Sequence, residues 1–250
     1  LVIPNHAASH GDWAPLYSLA ARSHGLGSVK TVSKSILKFI PLFGWSMYLM
    51  EWPFLKRKWL SDKDYLANVL QRYKESGMPL LMWIFCEGTR WTPAKHKSST
   101  EHARKNGYYE PQHTLLPRPR GFIALARGLD GIVTHVHDVT LAYTGAHSKS
   151  SKGPGFAAVF GPAKPSIFHI NVRRIPLKDL PMDDEEAMKK YLRDMYERKD
   201  KLLASFYETG TFDGAEQREI PLPPRARQAV MYNVIVGLIT VAAVAAMYSL

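Results

Sequence analysis

Apolar residues in this chain fall into short unbroken runs separated by stretches of helical spacing, the pattern of buried strands alternating with covering helices. Leu1 to Pro4 reads as the end of a strand, and Asp12-Trp13-Ala14-Pro15 as a helix entrance, which predicts a helix over Trp13 to Ser23. Val29 to Ser33 and Leu80 to Cys86 are predicted strands, the second apolar enough to be buried on both faces. Tyr65, Leu66, Val69, Leu70 and Tyr73 recur at helical spacing and predict a helix over Asp62 to Lys74. Ile132 to Tyr143 and Ser166 to Arg173 are two further strands, and Asp183 to Tyr207 is a long amphipathic helix, acidic at its start and basic beyond. Together these elements predict an α/β fold with a largely parallel central sheet flanked by helices.

Two stretches are more apolar than this pattern needs. Ser35 to Leu55 is dense in aromatic and aliphatic residues and is broken by Pro41 and Gly44. It reads as two core elements joined at those breaks, with a membrane interface as the other reading, because Trp45, Tyr48 and Trp52 carry rings suited to headgroup depth. Ala229 to Leu250 holds no charge, and its length matches a hydrocarbon core of about 30 Å at 1.5 Å rise per residue, so it predicts a transmembrane helix. Arg225 and Arg227 just before it place the preceding domain on the cytosolic side. The expected organisation is a domain over 1–215, a Pro/Arg-rich linker over 216–228 and the span over 229–250. Because the chain starts inside a strand, further residues are expected to precede it.

Composition narrows the partners. Lys and Arg number 33 against 22 Asp and Glu, a net charge of +11, which calls for an anionic partner without choosing nucleic acid, a phospholipid surface or a phosphorylated substrate. The apolar C-terminal stretch favours the lipid, and nothing beyond charge favours nucleic acid. The single cysteine, Cys86, excludes an internal disulfide framework and a cysteine-based zinc cluster.

Four short stretches place polar or charged residues in turns or at element ends. "NHAASHGD" sets His6 and Asp12 after a strand, where an imidazole can take a proton from an alcohol and a carboxylate can orient it. "PFLKRKW" carries Lys56, Arg57 and Lys58. "EGTR" ends a strand with Glu87, Gly88, Thr89 and Arg90, the glycine allowing a tight turn and the arginine offering a fork that fits phosphate. "LLPRPRGF" stiffens a loop with Pro117 and Pro119 around Arg118 and Arg120. A fifth stretch, "HVHD", puts His135 and His137 on one strand face beside Asp138, but no third metal ligand stands at a telling spacing.

The four stretches in this order resemble the membrane-bound glycerolipid acyltransferases, specifically the eukaryotic branch of the 1-acylglycerol-3-phosphate acyltransferases. That family carries an N-H-x4-D block, a block ending in F-x-x-R, an E-G-T-R block and a later block centred on proline. "NHAASHGD", "FLKR", "EGTR" and "LLPRPRGF" match them here, and "KFIPLFGW" and "VRRIPLKDLP" are similar to that branch as well. The resemblance implies the glycerolipid acyltransferase fold and acyl-CoA-dependent acylation of the sn-2 hydroxyl of lysophosphatidate. It implies acyl-CoA as co-substrate with no metal or other cofactor, and a catalytic domain at the endoplasmic reticulum membrane. It implies His6 as general base with Asp12 orienting it, Arg57, Glu87, Gly88, Thr89 and Arg90 around the acceptor's glycerol phosphate, and Pro117, Arg118 and Arg120 in the wall toward acyl-CoA.

One feature departs from that pattern: five residues, not four, separate His6 from Asp12. Two alternatives stand beside lysophosphatidate acylation, the first because the motifs grip a glycerol phosphate that lysophospholipids share, the second because of this spacing. One is transfer to another lysophospholipid, such as lysophosphatidylinositol or a lysocardiolipin; the other is a catalytically silent homologue that binds lysolipid or acyl-CoA.

Overall fold

The computed structural model describes residues 1–6, 10–23, 25–145 and 166–212. The expected span over 229–250 and the linker before it lie outside the described residues. Among the described residues no helix is long and apolar enough to cross a membrane.

A five-stranded sheet forms the centre. Its strands are β1 (Val2–Pro4), β2 (Val29–Thr31), β5 (Leu81–Trp83), β6 (His135–Gly145) and β7 (Ser166–Pro176), in the order β2-β5-β1-β6-β7. All neighbours pair in parallel except β7, which runs antiparallel to β6 along its whole length, from His135 opposite Pro176 to Gly145 opposite Ser166. Two-residue strands β3 (Ser33–Lys34) and β4 (Phe54–Leu55) make a separate parallel pair that carries the chain toward Arg57.

Alternation along β1 assigns the two sheet faces. Leu1 and Ile3 point into one core, beneath α3 (Trp59–Ser76), α5 (Pro119–Gly128) and α6 (Glu185–Thr209). Val2 points the other way, into a core closed by α1 (Trp13–Arg22), Met47 and Trp52. Period-two alternation in so short a strand is enough to separate the two layers.

Helix α4 (Pro93–Lys105) has no apolar periodicity, and the sequence reading passed over it. It forms because Thr92 caps it, accepting from the Lys95 N–H at 3.3 Å, with Pro93 at the first helical position. The stretch expected as a stiff loop at Pro119 instead starts α5, for the same reason.

Residues 35–55 correct the expectation of two core elements. A 3-10 turn, Ser35–Phe39, leads into α2 (Phe43–Leu49), of which only Gly44 and Met47 are buried. Most of the apolar side chains between Ile36 and Met50 face outward. The core takes Met47, Trp52 and Phe54 from this stretch, with Leu37 packed against them, and leaves most of the other apolar side chains outside.

Candidate active site

β1 ends at Pro4, next to the carboxyl end of β5 and opposite Val139 within the longer β6, on the carboxyl side of the parallel strands where α/β sheets build their sites. Asn5 extends this edge by clamping β6: its Nδ2 donates to the Leu141 carbonyl at 3.1 Å, and the Leu141 N–H donates to its Oδ1 at 2.7 Å. His6 follows immediately. A 3-10 turn, His10–Asp12, returns the chain so that His6 Nδ1 lies 2.7 Å from Asp12 Oδ2. The five-residue interval therefore closes the pair.

Asp12 is fully buried, and the Tyr143 hydroxyl donates to its second oxygen. An ionised carboxylate only accepts, so the Nδ1–H of His6 donates to it and Nε2 is left to take a proton. Phe85 packs against the imidazole at 4.5 Å between ring centroids.

Glu87 is placed differently from the sequence expectation. It is 2% exposed, and instead of facing an anion its two oxygens accept backbone N–H groups, from His6 at 2.7 Å and from Leu115 at 3.2 Å. Burial pushes its carboxyl up to about 8, although both N–H groups pull the other way. Glu87 thus ties the histidine loop to the proline-rich loop and acts on chemistry through position.

A second buried carboxylate braces that loop from behind. Asp200 of α6 accepts from the N–H groups of Gln112, His113 and Thr114 at 2.8, 2.7 and 2.8 Å, and from the hydroxyls of Tyr109 and Thr114. Its neighbour Lys199, also fully buried, donates to the carbonyls of Ile3 and Val139 at 2.8 and 2.7 Å and pairs with Asp138. Tyr143, Lys199 and Asp200 escaped the sequence reading. The only signal for the last two was a Lys-Asp pair within an otherwise amphipathic helix.

The predicted phosphate-binding residues gather at the outer rim. Gly88 has φ +69°, and a β-carbon there would meet Arg118 Cδ at 3.1 Å, so the turn and the close arginine both call for glycine. Arg57 is held at φ +63°, uncommon for a residue with a side chain, and its guanidinium donates to the Gly88 carbonyl. Burial first, then Arg118, lowers Arg57 below its ordinary value. Lys95 donates to Thr89 Oγ1.

Lys34, which the sequence did not single out, is brought to this rim by β3 pairing with β4. Arg57, then its partial burial, then Lys95 and Arg90 lower its pKa. The positive charges of Arg57, Lys95 and Arg90 converge on Lys34 and make this rim a basin of positive potential.

The remaining wall residues divide. Pro117 is buried and Arg118 stands over Gly88, with its N–H donating to the Cys86 carbonyl at 2.7 Å. Arg120 turns instead toward the Trp59 ring, 6.0 Å away, and the acidic start of α6. In "HVHD", Asp138 points away from the two histidines into an ion-pair cluster with Arg173, Arg198 and Lys199. Among the described residues no three His, Cys, Asp or Glu converge to hold a metal ion. Cys86 is buried, and burial raises its thiol pKa far above the ordinary range, as expected of a structural cysteine.

The fold thus sets a histidine–carboxylate pair at the carboxyl edge of a parallel sheet, beside a cationic rim. The comparisons place it more closely. A family model described as Acyltransferase matches residues 1–144, and one described as Acyltransferase C-terminus matches residues 159–236. The chain belongs to the acyltransferase family.

Among its relatives, a 1-acyl-sn-glycerol-3-phosphate acyltransferase 2 of Brassica oleracea is 34% identical over 231 residues, 92% of this chain and 57% of that protein. The delta form from Homo sapiens is 34% identical over 235 residues, 93% of this chain and 58% of that protein. The human gamma form is 37% identical over 202 residues, 80% of this chain and 51% of that protein. The chain thus spans little more than half the length of the curated relatives it matches. No solved structure matches.

Proposed function

We propose that this chain transfers an acyl group from acyl-CoA to the sn-2 hydroxyl of lysophosphatidate, yielding phosphatidate and CoA in phospholipid biosynthesis. The observation that carries the reading is the closed pair, His6 Nδ1 to Asp12 Oδ2 at 2.7 Å, beside the basin of Lys34, Arg57, Arg90 and Lys95. The printed names of the relatives, each a 1-acyl-sn-glycerol-3-phosphate acyltransferase, supply the acceptor.

His6 Nε2 takes the acceptor's hydroxyl proton as the oxygen attacks the thioester carbonyl carbon. Asp12 stabilises the imidazolium, the C–S bond breaks, and the proton passes to the departing CoA sulfur. A thioester is already activated, so the scheme uses acyl-CoA as co-substrate and no further cofactor. Arg57, Arg90 and Lys34 hold the acceptor's phosphate, Gly88 and Thr89 shape the turn beneath it, and Arg118 with Pro117 borders the acyl-CoA side.

We extend the reading to the membrane. Residues 229–250 span the bilayer of the endoplasmic reticulum, Arg225 and Arg227 set the catalytic domain on the cytosolic face, and lipid and acyl-CoA are the partners, with no role for nucleic acid. Other lysophospholipids share the glycerol phosphate and compete for the same rim.

The test is transfer from labelled oleoyl-CoA to lysophosphatidate and to other lysophospholipids, using membranes that carry the full chain, with His6→Ala alongside. Transfer to lysophosphatidate abolished by His6→Ala supports the reading. Preference for lysophosphatidylinositol or lysocardiolipin reassigns the acceptor. No transfer from a folded, membrane-inserted chain leaves a lysolipid-binding homologue.

A further inference from the structure

The outward side chains of residues 36–50 form an apolar ledge that neither the catalytic pair nor the cationic rim uses. Leu49 is 80% exposed, Phe39 67%, Tyr48 65%, Ile36 64% and Trp45 54%. Single exposed apolar residues are ordinary on a folded surface, but five large ones within fourteen positions make a contiguous patch of the kind that marks an interaction site.

The ledge is built rigidly. A β-carbon at Gly44 would meet the Leu37 carbonyl oxygen at 1.9 Å, so the start of α2 lies directly on the 3-10 turn before it. Trp13 anchors the ledge from beneath, 5.6 Å from both Phe43 and Trp52 between ring centroids. Because Trp13 follows Asp12 in the chain, the ledge is coupled to the His6–Asp12 pair through one ring contact and one peptide link.

Charge selects the occupant. Between residues 33 and 58 the chain carries five basic residues, Lys34, Lys38, Lys56, Arg57 and Lys58, and one acid, Glu51. Lys38 lies against the Phe39 ring, with its ammonium 4.9 Å from the ring centroid. A patch rich in Trp, Tyr and Phe, flanked by lysines with long apolar stems, complements the headgroup layer of an anionic bilayer, where rings sit at the interface and ammonium groups meet phosphate.

We propose that Ile36 to Met50 dock into one leaflet of an anionic bilayer without crossing it, seating the catalytic edge at the headgroup plane. The ledge presents an apolar acyl chain with a path along the membrane to Trp13. Lys34 at its foot belongs to the cationic rim, so one surface meets both the tail and the phosphate of a lipid. This docking is independent of the span proposed at residues 229–250 and of the transfer reaction.

Tyr48→Cys in the full chain carries a single environment-sensitive fluorophore, since the native Cys86 is buried. Lys190→Cys, on the exposed side of α6 against the opposite sheet face, serves as reference. Both are reconstituted into phosphatidylcholine vesicles with and without phosphatidylserine, and quenching by lipids brominated along their chains is measured.

Severalfold stronger quenching at position 48 than at 190, increased by phosphatidylserine and lost when Trp45→Glu and Phe39→Glu are added, is the expected result. Equal quenching at the two positions, or none at 48, overturns the proposal. So does a blue shift at 48 that grows with protein concentration without quenching, which means that a second copy covers the ledge. Acyl transfer measured on the same samples keeps the two readings apart: transfer without quenching at 48 rejects the docking alone, and quenching without transfer rejects the catalytic reading alone.

Discussion

The floor of the site and its rim are held by opposite means. His6 and Asp12 rest on buried groups: Tyr143 on one oxygen of Asp12, Glu87 under the His6 backbone, and Asp200 behind the loop that Glu87 grips. The Asp12, Glu87 and Asp200 carboxylates of this floor all have hydrogen-bond partners within the protein, as holding a side chain to within a fraction of an ångström requires. At the rim, the charges of Arg57, Lys95 and Arg90 lower the pKa of Lys34, and Arg57 sits in a left-handed backbone conformation. The floor is organised by the protein, whereas the rim gathers like charges that a bound anion would relieve, so defects in the two should differ in kind.

Kinetics separates them most sharply. His6→Ala is expected to lower kcat by about 10²- to 10⁴-fold with little change in acceptor KM. Arg57→Ala is expected to act mainly on KM, with added salt narrowing the gap to wild type because the rim is exposed. A kcat loss for Arg57→Ala as large as that for His6→Ala would erase the distinction.

Glu87→Gln attacks the floor from below. An amide cannot accept from both the His6 and Leu115 N–H groups without turning its own NH2 onto one of them, at a cost of about 1–3 kcal/mol. The Glu87 carboxyl titrates higher in the fold than in the unfolded chain, so the fold binds that proton more tightly. The stability this contributes is complete below about 4.5 and is lost as pH rises through about 8. Thermal melts should show the wild type's margin over Glu87→Gln shrinking across that window.

Tyr143→Phe removes one hydrogen bond to Asp12 and should reduce kcat by about tenfold, the scale of one bond to a charged group. Added to Asp12→Asn it should cost less than it does alone, since the bond is already altered; full additivity in that double-mutant cycle would show that Tyr143 acts elsewhere. Lys34→Ala and Lys95→Ala should each raise acceptor KM by about fivefold, the scale of one screened surface charge, and leave the melting temperature unchanged. Equal effects on an acceptor lacking phosphate would remove both lysines from the rim.

The alternation of apolar runs with helical spacing foretold the largely parallel sheet and the helices α1, α3 and α6, because both periods are local properties of the backbone. The antiparallel β7 and the helix α4 were harder to see, since strand direction is a tertiary choice and α4 is polar throughout. The candidate residues divide in the same way. His6, Asp12, Arg57 and Arg90 were legible because chemistry demands those side chains in turns after strands. Lys34 and Lys95 were not, because the pairing of β3 with β4 and the packing of α4 bring them to Arg57 from distant positions.

The sequence alone therefore determined the candidate reactive groups, the layered architecture and the resemblance to glycerolipid acyltransferases, all written in residue type and short-range order. Tertiary structure decided which charges are buried. Glu87, Lys199 and Asp200 are of the same residue types as exposed Glu, Lys and Asp elsewhere in the chain and are set apart by their burial and by the N–H and carbonyl groups that the fold aims at them. It also closed a six-position step from His6 to Asp12 into a 2.7 Å contact, and it set the apolar stretch after Lys34 on the surface instead of in the core. Each of these depends on groups far apart in the chain meeting in space, where burial and distance set the energy of a charge or an apolar side chain.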